Sequence, residues 1–598
     1  MSSRQARPTA ADTETDTVHS ETRALYPLLP GQLTLHRTLQ EMPEVMTSLW
    51  MSYRIDGPLD VSAFVDAVRS TVARHAGLRI GVTTQDGTPV QWVRPMPDQH
   101  PIVTLTQVTA NDTEQFTRYV RAVLATDLRH TFDLAVEYPF IIRLLRFSPT
   151  LHAAIGVFSA LAVDATARMT VVREIWDTYF GRPPGTEPKD ADYLAAVTSR
   201  AAAATTGRSR AVSAYWRRRA PWLPPRCQFL PGIGGPATPT ARTELLPVVG
   251  PEWEALRHRW QESGFTTAQW LLAVFAATVF LVTPQDRIAV SMRLNGRRHA
   301  ERGVVGMFDV TVPVVLDRPA RPADLLVQVR REQLAATSRR DVSPQVLDEM
   351  WAATARRLGH PVHRTLLMTY LEDTAGLDPS GRAPDTAGLD PSGRAPDTAG
   401  LDPSGRAPDT AGLDPSGRAP VTIERGAYTP GFQRIADGLR IAVNERPDGL
   451  RIRLTVDGGT MSQESFTRFV TAFRARLDGD DSGRVAAAPA GAPALAPLRA
   501  PDGAVLLVVD LAEVTAALER QPEVTSATAA VEIADDGGSR VAAEVRAGGV
   551  PVTADDLADR VRATLAHRPY LAVPGRISVG HDSASGDRPE ALLRDGVG

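Results

Sequence analysis

The chain has 598 residues, 43% of them hydrophobic, and a formal net charge of -3, so it exceeds what one core organises and predicts three or four folding units. Near-balanced charge gives no electrostatic handle on nucleic acid or an anionic membrane, and neither is expected as a partner. The single cysteine, Cys227, excludes an intramolecular disulfide and a thiolate metal cluster, and fits a reducing cytoplasm.

Residues 1–20 are polar, lack the apolar core of a secretion signal, and are expected to be a disordered tail. From Tyr26 to about Gly181 the strand-like WMSYRID, the helix-like VSAFVDAVRSTVARHAG and the strand-like PVQWVRP alternate, predicting an α/β lobe over residues 21–205. The strand-like LHAAIGV then stops, turns through FSALAVDATA and enters the helix-like ARMTVVREIWDTYFG. Turns of this kind commonly present catalytic side chains. Here they are Ser159, Ala160 and Asp164, and none is a base.

The helical, Ala/Arg-rich DYLAAVTSRAAAATTGRSRAVSAYWRRRA leads into a second lobe, residues 206–480, with strands RTELLPV, RIAVSMRL and VTVPVVL and helix EWEALRHRWQESG. The run TTAQWLLAVFAATVFLVTP within it has about 17 apolar residues, the short limit for crossing a bilayer, and is expected as a buried helix. Four identical copies of DTAGLDPSGRAP occupy residues 373–420. Each has Gly and Pro at turn positions and one large aliphatic residue, too little apolar surface to offset its ordering entropy, which predicts a flexible insertion. The lobe resumes with the hairpin-like LRIAVNERPDGLRIRLTVDG and the helix QESFTRFVTAFRARL. An Ala/Pro-rich linker is expected over residues 481–502. Residues 503–598 predict a small α+β unit, with helices LAEVTAALERQP and ADDLADRVRATLAHRP and strands TSATAAVEI, SRVAAEVRA and GRISV.

Several segments in order carry a resemblance: YPLLPGQ, RHAGLR, YWRRRAPWL and NGRRHAERGVVGMFDVTVPVVLD. Over roughly residues 24–480 the chain resembles the condensation superfamily of nonribosomal peptide synthetases. DATARMTVVREIWDTYFG and VSPQVLDEMWAATARRLGHPVHRTLLMTYLED look closer to its heterocyclisation branch. The resemblance implies an α/β (α+β) fold of two chloramphenicol-acetyltransferase-like lobes in a V, with a central tunnel. It implies carrier proteins as partners, docking at opposite ends and delivering thioesters on phosphopantetheine arms, and no cofactor of the chain's own. A tailoring enzyme is a further candidate partner.

Against that family the turn is degenerate. The amide-forming pattern H-H-x-x-x-D-G falls on Ser159, Ala160, Asp164 and Ala165, so the imidazole that would assist amine attack is missing. The heterocyclising pattern D-x-x-x-x-D-x-x-S falls on Ser159, Asp164 and Ala167. A family Thr corresponds to Asp309, or to Thr311 if the short match slips by two, and a later catalytic Asp has only Thr337 or Asp341 as candidates. In the family the shared Asp is structural, which makes Asp164 the expected ion-pair partner of Arg297 in the other lobe. A helix cap at Asp164 is the alternative, and the two are compatible. Ser159 has no neighbouring base: His152 lies seven residues back along the same strand and should face the other side.

Residues 503–598 resemble the C-terminal subdomain of an adenylation domain, but Asp587 stands where that chemistry needs a lysine. The tetrapeptide GHDS near Ser583 lacks the flanking helices of a carrier domain. The sequence therefore predicts a free-standing condensation-like or heterocyclisation-like component of natural-product biosynthesis, binding carrier-tethered intermediates with the standard motif lost. A diverged acyltransferase or cyclase working by substrate positioning is the alternative.

Overall fold

A computed structural model describes residues 23–581 except 42–47, 98–101, 183–189, 204–205, 234–240, 364, 373–420, 426–437, 447, 481–493, 549–550, 566–567 and 569. The predicted tail, the repeat insertion, most of the linker, Ser583 and Asp587 lie outside the described residues.

The first part of the chain forms β1 (Tyr26–Pro27), α1 (Pro30–Glu41), β2 (Leu49–Asp56), α2 (Val61–Arg74), β3 (Ile80–Gln85), β4 (Thr88–Val93), β5 (Thr104–Gln107), α3 (Thr113–Asp127), β6 (Phe140–Ser148), β7 (Leu151–Phe158), α4 (Ala165–Tyr179) and α5 (Asp190–Ala203). The second forms α6 (Gly207–Arg217), β8 (Arg242–Val249), α7 (Pro251–Glu262), α8 (Thr267–Phe280), β9 (Arg287–Leu294), β10 (Val310–Asp317), α9 (Pro322–Ser338), α10 (Pro344–Leu358), β11 (Leu366–Glu372), β12 (Thr422–Arg425), β13 (Leu439–Arg446), β14 (Gly449–Val456) and α11 (Gln463–Leu477). The C-terminal unit adds β15 (Leu495–Arg499), β16 (Val505–Asp510), α12 (Leu511–Glu519), β17 (Val524–Ile533), β18 (Ser539–Ala547), α13 (Ala554–Ala563) and β19 (Arg576–His581).

Helix starts follow local chemistry. Asp60, Asp112, Asp164, Ser462 and Asp510 each accept a backbone N–H of the first turn, and Thr266 forms a capping box with Gln269. Strand β7 is buried at every residue, His152 included, because both of its faces are covered. Ala154 and Phe158 join the main first-lobe core, while Ala153, Ile155 and Val157 pack with Phe116 and Leu124 of α3.

The first-lobe sheet has the order β12-β2-β7-β6-β5, and the second-lobe sheet the order β10-β9-β11-β13-β14-β8. Helix α8, apolar all round, sits in the second-lobe core with Phe275 against Phe469 of α11. Among the described residues no single helix is long and apolar enough to cross a membrane; α7 and α8 reach that length only together, across a 97° bend.

The Ala/Arg-rich stretch, expected as helical, forms two helices: α5 buries Tyr193 and Val197 in the first core, and α6 buries Val212 and Trp216 in the second. Two expected bounds differ from the structure. The 206–480 lobe does not keep all its strands, since β12 pairs antiparallel with β2 in the other lobe, Ile423 opposite Ile55. The 481–502 linker contains β15, which pairs antiparallel with β16 and buries Leu498.

Candidate functional site

The turn after β7 is held by its own backbone and by the second lobe. Ser159 N–H donates to Pro139 O at 2.9 Å, and Ser159 O accepts from Ala162 and Val163 N–H at 3.0 and 3.1 Å. Gln32, fully buried at the start of α1, donates to Leu161 O at 2.8 Å. Its neighbour Gln91 accepts from the Tyr193 hydroxyl at 2.7 Å, and burial raises that phenol's pKa.

Asp164 does both things the sequence left open. Its Oδ1 accepts Ala167 N–H at 2.7 Å as the cap of α4, and its Oδ2 accepts Arg297 Nη1 at 2.7 Å and Phe308 N–H at 2.8 Å. The two side chains are 0% and 4% exposed, so bulk water does not screen the pair. Arg297 comes from the loop between β9 and β10, whose Val304, Val305 and Phe308 belong to the first-lobe core. Its other donors reach Val304 O at 3.1 Å and Gly306 O at 3.0 Å. Phe308 lies under two guanidiniums, Arg297 at 4.6 Å and Arg200 at 5.4 Å. The loop approaches so closely that a Cβ on Gly31 or Gly77 would meet Asp309 O or Val305 O at 2.2 and 2.3 Å. This loop is the latch that fixes the lobe junction.

A cavity of about 380 Å³ opens beside the latch. One wall is α1, the start of β2 and the turn; the other is the inner face of β9, β10, β11, β13 and β14. Ala160, Asp164, Asp309 and Thr311 all line it. Ser159 and Ala167 do not: both are buried, Ala167 in the first-lobe core. His152 is buried too and lies outside the lining, where burial, then Arg146, pushes its pKa down to about 4. Thr337 lies in the last turn of α9, and Asp341 stands 3.8 Å from Arg200 and 3.6 Å from Arg298; neither lines the cavity.

Two of the lining side chains have shifted titrations. Burial, then the like charge of Asp164, pushes the Asp309 carboxyl up to about 7, opposed by Arg293 and Arg297. His363, in the segment between α10 and β11, also lines the cavity, and burial lowers its pKa. Sequence reasoning passed over His363 because a lone His between a helix and a strand has no spacing that points to a site.

A family model described as "Condensation domain" matches residues 22–374. The phosphinothricin tripeptide synthetase PhsB of Streptomyces viridochromogenes is 27% identical over 348 residues, 56% of this chain and 28% of that protein. The chain spans less than a third of the length of the first curated relatives it matches. Among solved structures, the X-domain in "Complex of the X-domain and OxyB from Teicoplanin Biosynthesis" has a TM-score of 0.56 at 19% identity, covering 81% of this chain and 98% of that one. The first condensation domain of the calcium-dependent antibiotic synthetase has a TM-score of 0.56 at 17% identity, covering 77% and 97%.

Proposed function

Because the chain belongs to the condensation-domain family of nonribosomal peptide assembly lines, we propose that it binds carrier-tethered thioester intermediates at the lobe junction without the family's usual proton-transfer residue. The observation that carries this reading is Ala160. It lines the cavity at the position where the resemblance calls for an imidazole, while Asp164 and Arg297 keep the junction closed beside it. A methyl group transfers no proton, and the cavity's shape survives the loss because the latch, not the missing side chain, sets it.

In this reading the partners are carrier proteins, with phosphopantetheine thioesters as substrates, in the cytoplasm. The likeness to an X-domain solved with OxyB supports a tailoring enzyme as a further partner. The heterocyclising affinity rests on residues 164–181 and 342–373, and the adenylation-like character of the C-terminal unit on its sequence motifs.

A second reading, a diverged acyltransferase or cyclase, is favoured by Asp309 and His363. Both line the same cavity as Ala160, and a carboxyl titrating near neutrality can accept a proton from an attacking amine. Positioning of two tethered substrates would supply the remainder of the rate.

Intact-mass analysis separates the readings. Carrier proteins loaded with aminoacyl thioesters are mixed with the full chain and followed for condensed or cyclised product. Carrier binding without product supports the non-catalytic reading; product that disappears in Asp309→Asn supports the second. Neither binding nor product rejects both.

A further inference from the structure

The three-stranded sheet of the C-terminal unit runs in the order β17-β18-β19, so β17 is an edge, and among the described residues no other strand pairs with it. Long sheet edges are ordinarily blunted by Pro, Lys or a covering segment. The strand VTSATAAVEI has neither Pro nor Lys, and its one charge, Glu532, is held by Arg540 and Arg576 at 2.6 Å each.

Two hydrogen bonds fix which backbone groups face outward. Ala527 N–H donates to Glu519 Oε1 of α12 at 3.2 Å, outside the β17–β18 ladder, whereas Ala534 N–H donates to Gly538 O at 2.7 Å, across the hairpin. The ladder has no register shift between Ser526 and Ile533. By the alternation of an antiparallel pair, the N–H and C=O of Ala529, Val531 and Ile533 therefore point away from β18. Glu519 closes this open edge at one end, and the turn at residues 534–538 closes it at the other. The side chains at these positions share one face of the sheet: Ala527, Ala529 and Val531 lie opposite Val545, Ala543 and Val541 of the C-terminal core. Toward the turn that face loses its cover, leaving Val531 37% and Ile533 79% exposed.

We infer that this edge pairs with the same edge of a second copy of the chain, antiparallel about a two-fold axis through Val531. The occupant follows from self-complementarity. Val531 is the middle one of the three outward positions, so it meets its own counterpart while Ile533 meets the counterpart of Ala529. Each outward N–H then faces an outward C=O, with two hydrogen bonds for each opposed pair. On the other face Glu532 lies opposite the counterpart of Ala530, so no like charges are apposed within the paired stretch. The exposed Val531 and Ile533 cover one another across the axis, and the two sheets become one continuous sheet with an isologous contact. So short a pairing buries less than the ~1,000 Å² of a stable interface, which makes the dimer weak and concentration-dependent. The inference is independent of the thioester reading.

Sedimentation equilibrium of the full chain between about 1 and about 200 µM tests it. The weight-average mass is expected to rise from 64.5 kDa toward twice that value. Val531→Pro removes an outward N–H without touching the ladder to β18, and is expected to stay at the monomer mass. Ala530→Lys places a cation opposite Glu532 of the second copy, and is expected to dimerise at least as well as the parent. Position 531 meets itself at the ~5.5 Å Cα separation of a hydrogen-bonded pair, within disulfide reach. Val531→Cys is therefore expected to form a covalent dimer under mild oxidation. Ile533→Cys is not, because its own counterpart stands four residues, or about 13 Å, farther along the strand. The cysteine comparison stands on its own if the proline variant fails to fold. A monomer at every concentration overturns the inference and leaves the edge to an extended segment of another protein. A dimer that persists in Val531→Pro, or that cross-links equally well at positions 531 and 533, also overturns it and places the interface elsewhere.

Discussion

Asp164 and Arg297 join a turn of the first lobe to a loop of the second through a 2.7 Å contact that is almost completely buried, and the same carboxylate caps α4. One side chain thus links helix initiation, inter-lobe docking and the cavity wall. Replacing Arg297 with Ala should strand a buried carboxylate and cost about 3–5 kcal/mol. Asp164→Ala should cost a similar amount plus about 1 kcal/mol for the lost cap. The double variant should cost less than the sum, because removing both charges leaves neither stranded. Thermal midpoints of the four proteins check this; strict additivity would show that the pair is not a coupled unit.

The Asp309 carboxyl predicts a pH effect whose sign follows from linkage. Its folded pKa, about 7, lies above the ordinary carboxylate value because burial and Asp164 disfavour its charge. The folded state therefore binds this proton more tightly than the unfolded chain does. The stabilising contribution is complete below about pH 4 and is lost as pH rises to about 7. The lowered histidines, His152 at about 4 and His360 at about 3, work in the opposite direction. The useful quantity is therefore the difference between the protein and Asp309→Asn. The variant should gain thermal midpoint relative to the parent between pH 5 and pH 8, and a flat difference across that range would contradict the shift.

Much of the fold could be read from patterns, and the exceptions have physical causes. RIAVSMRL and SRVAAEVRA coincide with β9 and β18 residue for residue, because apolar residues recur at every second position, Ile288, Val290 and Met292 in one and Val541, Ala543 and Val545 in the other. Strand β12 left no such trace: its partner β2 is in the other lobe, and four residues after a long repeat carry too little periodicity. Strand β15 was hidden by Ala and Pro, although Leu498 anchors it in the C-terminal core. At the site, the absence of a base on the turn was legible, but the convergence of His363, Arg293, Arg440 and Arg453 on the cavity was not. Those groups converge from separate strands and a loop, and register across a sheet cannot be seen in linear spacing.

Filling the cavity at the turn should matter more than altering the turn's hydroxyl. Ala160 lines the space, so Ala160→Leu should push a side chain into it and weaken binding of pantetheine thioesters by about tenfold or more, the direction expected of overpacking. Ser159 lies outside the lining and is held by backbone hydrogen bonds, so Ser159→Ala should change binding by less than about twofold. Calorimetric affinities of both variants decide the matter. A large loss in Ser159→Ala with none in Ala160→Leu would place the thioester elsewhere.

The C-terminal unit should behave as part of the second lobe rather than as a tethered neighbour. The buried Gln228 amide donates to Val508 O at 2.8 Å and accepts Val508 N–H at 2.7 Å, completing β16 as a strand would. Gln285 donates to Leu506 O, Asp286 N–H donates to Val505 O at 3.0 Å, and Arg287 reaches Asp502 at 2.6 Å. Farther along, the Tyr570 hydroxyl donates to Phe229 O at 2.5 Å, and Val573 N–H donates to Gly359 O at 2.6 Å. Gly359 has φ of +62°, and a Cβ there would meet Val573 O at 1.8 Å, so no other residue fits. Ending the chain after residue 480 should remove the Gln228–Val508 and Gln285–Leu506 hydrogen bonds, at about 0.5–1.5 kcal/mol each. It should also expose Leu358, which packs in the C-terminal core. The truncated protein is expected to melt well below the parent and to aggregate. Gln228→Ala alone should lower the midpoint measurably, because it strands the Val508 N–H and C=O. A truncated chain with an unchanged melting temperature would show that the interface contributes nothing to the second lobe's stability.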